Sequence, residues 1–382
     1  MPPPRRPRGR VGTRHRGGLP GPGRLPALPR GRPPIPRPAD HGPRVGDGGA
    51  PRPGPAARRH RRQGGPGAGG LAVLTVAFAS HNGERTLPRM LEALTEVHPP
   101  PGGWKLLAVD NASTDATARI LERYRQRLPL ERLHHGQPGK NAALNAALPA
   151  LEGELAVFTD DDVLPAPDWL TALADGARRY PAHDLFGGRI ALDWPAPPPE
   201  WLTRHVNLAI AYARTDPAWP EGDIRADLIW GPNMMVRTRV FSAGHRFSEA
   251  IGPRAGGSYI MGSETELTTR LAEAGYRACH IPAARVAHIV RPEQMERRWV
   301  LERAARFGRS LALADATDPQ ARQAPRLLGA PRWLYRAFLR RRLEAVAKGE
   351  ALRTGASIAP LWQAHVLKGR IAEGRRIHRR AP

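Results

Sequence analysis

The sequence predicts an α/β domain with a mostly parallel sheet, beginning near residue 71. Three segments carry this expectation. LAVLTVAFA at 71–79, WKLLAV at 104–109 and ELAVFT at 154–159 are apolar runs of strand length, the pattern of strands buried on both faces of a parallel sheet. Apolar residues at helical spacing lie between them. Strands alternating with helices imply right-handed crossovers and parallel pairing.

The helix after the first strand rests on Leu87, Met90, Leu91 and Leu94, with Pro88 tolerated in its first turn. After the second strand, a polar turn from Asp110 to Asp115 leads into a helix through Ile120, Leu121, Tyr124 and Leu128. A short Ala/Leu helix from Asn141 to Leu148 precedes the third strand. Further on, the pattern predicts a helix near 168–179 and a strand around 185–192. An irregular Pro/Trp-rich stretch from Trp194 to Trp201 is suited to face an acceptor. A helix over 263–275 follows, and from about 296 several Arg-rich amphipathic helices. The domain division is therefore 1–70, a disordered Pro/Gly/Arg-rich segment; 71–295, the catalytic domain; and 296–382, a basic helical region.

Charge is distributed unevenly in this 382-residue chain of formal net charge +24. Residues 1–70 hold 16 Arg against 2 Asp, residues 331–382 hold 13 Lys or Arg against 3 Glu, and residues 71–330 hold 30 of each sign. The basic character thus belongs to the ends. Nucleic-acid binding through these tails is one reading, but they lack interleaved aromatics and the neutral middle offers no basic groove, so no nucleic-acid partner is expected. With 17 Pro and 17 Gly, residues 1–70 cannot bury enough surface to offset the entropy of ordering. They read either as an Arg-rich arm for polyphosphate or lipid headgroups, or as translation assigned upstream of the true start. Cys279, the single cysteine, excludes an intrachain disulfide and a Cys-based zinc site. No apolar run approaches the roughly 18 to 20 residues that span a bilayer, and the N-terminus lacks the apolar core of a signal peptide, so a cytoplasmic location is expected.

In an open α/β sheet, ligands bind at the carboxyl ends of the strands. Ser80, Asn82 and Glu84 follow the first strand, Asp110, Asn111, Ser113 and Asp115 the second, and Asp160, Asp161 and Asp162 the third. Three adjacent carboxylates after an apolar strand repel one another, an arrangement a divalent cation neutralises. Mg2+ or Mn2+ held by two of these oxygens would leave sites for diphosphate oxygens; the alternative is a solvated acidic turn before the helix at Asp168. No Walker-type loop and no GxGxxG follows any strand, which weakens kinase, ATPase and dinucleotide-oxidoreductase readings. A nucleotidyltransferase on a similar sheet stays open.

Over about residues 71–310 the chain resembles the inverting family-2 glycosyltransferases of the GT-A fold, of the bacterial polysaccharide type. The resemblance lies in AFASHNGERTL, VDNASTDAT, GKNAALNAAL, FTDDDVLPAPDWL, GPNMMVR at 231–237 and GSETELTTRLAEAG at 262–275. It implies that Ser80, Asn82, Glu84 and Asp110 line the nucleotide pocket, with Asp110 on the base. Lys140 and Asn141 would lie near the nucleotide and diphosphate. Asp160 would approach the ribose or diphosphate and also serve as a metal ligand, and Asp162 would be the leading metal ligand, with Asp161 shared. Asn233 and Met234 would shape the sugar or acceptor pocket, and His288, in RVAHIV, is either a further metal ligand or a structural histidine. The partners implied are a nucleotide-diphosphate sugar and a saccharide or lipid-linked acceptor.

The family often has Glu-Asp where this chain has Ser263-Glu264. Ser263 followed by Glu266 reads as a capping box, which leaves Glu264 free as the general base. Near the C-terminus, Trp333, Leu334, Tyr335, Phe338 and Leu339 interleave with Arg332, Arg336, Arg340, Arg341 and Arg342. Such a segment either lies on an anionic membrane, at the inner face of the plasma membrane, or packs on the catalytic domain with a solvated face.

Overall fold

The computed structural model describes residues 74–253 and 259–380; the segment 1–70 expected to be disordered lies outside them. The first half of the sheet forms from β1 (Leu74–Ser80), α1 (Leu87–Thr95), β2 (Trp104–Asn111), α2 (Thr117–Tyr124), β3 (Leu130–His135), α3 (Lys140–Ala147) and β4 (Leu155–Phe158). The second half runs through β5 (Val163–Pro165), α4 (Trp169–Arg179), β6 (Leu185–Asp193), α5 (Glu200–His205), α6 (Leu208–Tyr212), β7 (Gly222–Asp223), β8 (Met234–Arg237), α7 (Thr238–Ser242), α8 (Ser263–Glu273) and β9 (Ala278–Ile289). Then come α9 (Arg297–Thr317), α10 (Pro319–Gln323), the small hairpin β10 (Arg326–Leu327) and β11 (Ala330–Pro331), α11 (Arg332–Ala347) and α12 (Ile358–Arg380).

The sheet order is β3-β2-β1-β4-β8-β6-β9-β5, with β7 also on β9. The β3-β2-β1-β4 half is parallel throughout. β8 enters antiparallel to both β4 and β6, whereas β6 and β9 are parallel. Period-two alternation places Leu74, Val76 and Phe78 of β1 against α1, α2 and α4, while Ala77 faces the layer of α3, α7 and α8. Burial of both faces is what the apolar runs encode. Cys279 is sealed in the core on β9.

Two consequences position the site. Parallel pairing brings the carboxyl ends of β1, β2 and β4 to one edge. Just past β4, residues 160–162 turn the chain into β5, which pairs antiparallel with β9 so that Val163 faces His288 and Ile289 N donates to the Asp162 carbonyl at 2.8 Å.

The C-terminal helices share a core with the domain: Leu202, Tyr212, Val300, Ala304, Ile358 and Trp362 pack together from α5, α6, α9 and α12. α9 and α12 cross with backbones almost touching. A Cβ at Gly308 would stand 1.9 Å from the Val366 carbonyl oxygen, and one at Gly369 the same distance from that of Ala305, so only glycine permits this approach. On α11, Leu334 is buried beside Ile371, with Tyr335 and Phe338 against the same cluster. These three expected interfacial residues therefore face the protein. The outward apolar residues are Trp333, Leu339, Leu343 and Val346. No helix among the described residues is long and apolar enough to cross a membrane.

Candidate active site

A cleft of about 400 Å³ opens at the strand ends, lined by Ser80, Lys140, Asp160, Asp161, Asp162 and His288. Tyr212, Tyr259, Arg291, Trp299, Arg303 and Arg306 also line it. The three aspartates are resolved into three environments. Asp160 Oδ1 lies 2.5 Å from Lys140 Nζ, which also reaches Glu264 Oε1 at 2.6 Å. Asp161 accepts a hydrogen bond from the Ser80 hydroxyl. Asp162 Oδ1 is 3.2 Å from His288 Nε2, and its Oδ2 is 3.5 Å from Arg291 Nη1.

Burial sets the protonation pattern. Desolvation, together with the charge of Asp162, pushes the Asp161 carboxyl up to about 7. Desolvation also raises Asp160. Asp162 is held below the usual carboxylate range, because His288 and Arg291 outweigh its desolvation. Glu264 is likewise lowered: burial opposes ionisation, but Lys140 overcomes it.

The donor set fits a divalent cation. His288 Nδ1 is 2.7 Å from the Tyr212 carbonyl, so that nitrogen carries a proton and Nε2 turns toward Asp162. Desolvation disfavours the imidazolium, but the Asp162 carboxylate facing Nε2 raises His288 above its ordinary value, so without a metal a second proton on Nε2 completes the pair and a cation could take that proton's place. Among the described residues no three His, Cys, Asp or Glu side chains already form a cage. Asp162 and His288 would supply two ligands, leaving the remaining sites to phosphate oxygens and water. Asp160 turns away toward Lys140.

Other expected residues take different places. Asn82 Oδ1 accepts from Thr114 N at 2.8 Å and Glu84 Oε2 from Ala116 N at 3.1 Å, so both side chains knit the first two strand-end turns together at the rim. Asp110 accepts from Ser113 N at 3.2 Å and neighbours Arg132 and His134. Asn141 donates to the carbonyls of Ser248 and Ile251 at 2.7 and 3.1 Å, fastening the chain that leads to the cleft. Asn233 corrects the expectation of a sugar contact. It is fully buried, accepting from Trp169 Nε1 at 2.9 Å and donating to the carbonyls of Arg189 and Ala284. Its neighbour Met234 is likewise sealed in the core.

The capping box is also corrected. α8 begins at Gly262, whose φ of 93° is left-handed, and the Ser263 hydroxyl donates to Glu264 Oε2 at 2.8 Å. Glu266 pairs instead with Arg270 at 2.9 Å. Gly231 leaves room for Glu264: a Cβ there would stand 2.7 Å from Oε1.

Residues 75–249 match the family model described as Glycosyl transferase family 2. The domain belongs to glycosyltransferase family 2. The family-2 domain is similar to the succinoglycan biosynthesis protein ExoM of Rhizobium meliloti, at 26% identity over 54% of this chain and 63% of that protein. It is also similar to the poly(ribitol-phosphate) beta-N-acetylglucosaminyltransferase TarS of Staphylococcus aureus, at 34% identity over 24% of this chain and 16% of that protein. The chain thus spans less than two thirds of either relative. Among solved structures, a mannosyltransferase from Pyrobaculum calidifontis, in complex with GDP-Man and Mn2+, superposes with a TM-score of 0.52 at 19% identity, over 79% of this chain and 87% of that one. That likeness is one of fold, the GT-A architecture.

The family-2 match ends before several residues of the cleft lining. Tyr259, Arg291, Trp299, Arg303 and Arg306 come from chain beyond residue 249, and no strand-end motif pointed to them. Trp299, Arg303 and Arg306 share helical spacing on α9, the one signal the sequence carries for them.

Proposed function

We propose that this chain is a hexosyltransferase that moves a sugar from a nucleotide-diphosphate donor to an acceptor hydroxyl with inversion, in cell-surface polysaccharide or glycolipid assembly. The observation that carries the reading is the Asp162–His288 pair, standing beside Asp160, Asp161 and Lys140 in one cleft at the strand ends. Mg2+ or Mn2+ bound by Asp162 and His288 would neutralise the diphosphate as negative charge grows on it. Ser80 and Asp161 support that side of the pocket, and Asn82, Glu84 and Asp110 shape the turns on which the nucleotide rests.

The acceptor oxygen bonds to the anomeric carbon as the carbon–oxygen bond to the diphosphate breaks. The bonding pair leaves with the nucleoside diphosphate, and the hydroxyl proton passes to Glu264. Lys140, which neutralises Glu264 in this structure, turns to the incoming diphosphate and releases the carboxylate to act as base. Thermal stabilisation by a panel of nucleotide sugars with Mn2+ tests this reading. Asp162→Ala and EDTA should each abolish the shift while the protein stays folded; a shift that survives both would overturn the metal assignment.

The reading extends to the inner face of the plasma membrane. Leu339, Leu343 and Val346 are 59%, 70% and 62% exposed at helical spacing on α11, with Arg336 and Arg340 exposed nearby. Each basic residue adds roughly 1 kcal/mol near anionic lipid. Sedimentation with anionic vesicles should fall with salt and with Leu343→Asp; sedimentation indifferent to lipid charge would remove the membrane from the account.

A further inference from the structure

Past the aspartates the cleft changes character. Tyr212, whose carbonyl holds His288, stacks on Trp299 with ring centroids 5.4 Å apart and planes within 10°. One turn along α9, the Arg303 guanidinium lies 5.9 Å from the Trp299 ring, and its Nη1 donates to the Tyr259 hydroxyl at 3.3 Å. Arg306 then covers the Tyr259 ring at 4.9 Å. These contacts link Tyr212, Trp299, Arg303, Tyr259 and Arg306 in one continuous chain.

The two arginines are short of negative charge. Among the described residues no carboxylate lies within ion-pair reach of Arg303, and its Nε is buried without a hydrogen-bond partner. Arg306 has only Glu302, at 4.0 Å, and Glu302 is engaged by Arg298 at 3.1 Å. Arg291, nearer the aspartates, is taken by Asp162 and Glu293. Surplus positive charge therefore collects at Arg303 and Arg306 in the cleft lining.

We propose that this part of the cleft receives an acceptor carrying an anionic group, a phosphate or carboxylate, held by Arg303 and Arg306 while its sugar sits in the space that Trp299 and Tyr259 line. The proposal rests on the glycosyl-transfer reading. A guanidinium presents a planar fork of donors that matches carboxylate and phosphate geometry. Tyr259 orients both guanidinium groups without neutralising either. On the glycosyl-transfer reading the donor's diphosphate would be met by Lys140 and by a cation on Asp162 and His288, which leaves these two arginines for a second anion.

Calorimetric titration of the full chain tests the idea with glucose 6-phosphate, glucuronate, inorganic phosphate and neutral glucose, and in parallel with UDP and GDP in Mn2+. The wild type should bind at least one of the anionic sugars tenfold or more tightly than glucose, and the double variant Arg303→Gln, Arg306→Gln should lose that preference while nucleotide binding stays within twofold. Competition by inorganic phosphate together with a preference for glucose 6-phosphate over glucuronate would identify the group as phosphate, and the reverse preference as carboxylate. Arg306→Gln alone, on a side chain 24% exposed, should weaken anionic-sugar binding severalfold even if the double variant does not fold. Equal binding of glucose and the anionic sugars would overturn the proposal, as would parallel loss of nucleotide and anionic sugar in the variants. Failure of the wild type to bind any nucleotide would instead sink the transfer reading.

Discussion

Lys140 Nζ lies 2.6 Å from Glu264 Oε1, joining the start of α3 to the start of α8. The same ammonium reaches Asp160 at 2.5 Å, so one cation neutralises two half-buried carboxylates. Lys140→Met would leave both uncompensated, and we expect a loss of about 1–3 kcal/mol in urea unfolding at neutral pH. The pH dependence has a definite sign. Glu264's folded pKa is below its ordinary 4.5, so its contribution is present above that value and is lost as pH falls through the folded value. The gap between wild type and variant should therefore narrow in acid; a gap independent of pH would contradict the pairing.

Asp161 should behave oppositely. Its folded pKa of about 7 lies above the ordinary 3.8, so between those values the folded state keeps a proton that the unfolded chain releases. In EDTA, stability should fall as pH rises through that window and level off above it. Asp161→Asn should flatten the slope. Identical slopes in urea midpoints for the two proteins would refute the raised pKa.

The parallel half of the fold was legible because β1, β2 and β4 are apolar on both faces, a pattern that depends only on local sequence. β3 was not. Its LERLHH alternates because it is an edge strand with one face in solvent. β8 has four residues, too short to stand out from the loop around it. The aspartates announced themselves by adjacency and His288 by its apolar strand, but their meeting depends on β5 pairing with β9, a contact 125 residues apart in register between Val163 and His288. Asn233 misled for the converse reason: a polar residue inside a recognisable motif reads as a ligand contact, whereas here it closes a buried network.

That network makes a separable prediction. Asn233→Ala would strand the Trp169 indole N–H and two carbonyls in the core, at a cost of about 2–4 kcal/mol. Nucleotide affinity of the folded fraction should stay near wild type. Loss of affinity with unchanged stability would restore Asn233 to the substrate pocket.

Gly231 and Glu264 test the catalytic base. Glu264→Gln should lower turnover by about 10²- to 10⁴-fold with donor affinity retained. Gly231→Ala, which crowds Glu264 Oε1 at 2.7 Å, should misplace the carboxylate and cost up to about 10²-fold. Full turnover in Glu264→Gln would remove it from the chemistry.

The central claim, transfer of a sugar from a nucleotide-diphosphate donor, is tested most directly by identifying the phosphate product. The full chain is incubated with a panel of nucleotide sugars and Mn2+, and products are separated by ion-exchange chromatography. The account predicts release of a nucleoside diphosphate from at least one donor, dependent on Mn2+ and absent in Asp162→Ala. Release of pyrophosphate or of a nucleoside monophosphate, or no cleavage of any donor, would contradict it.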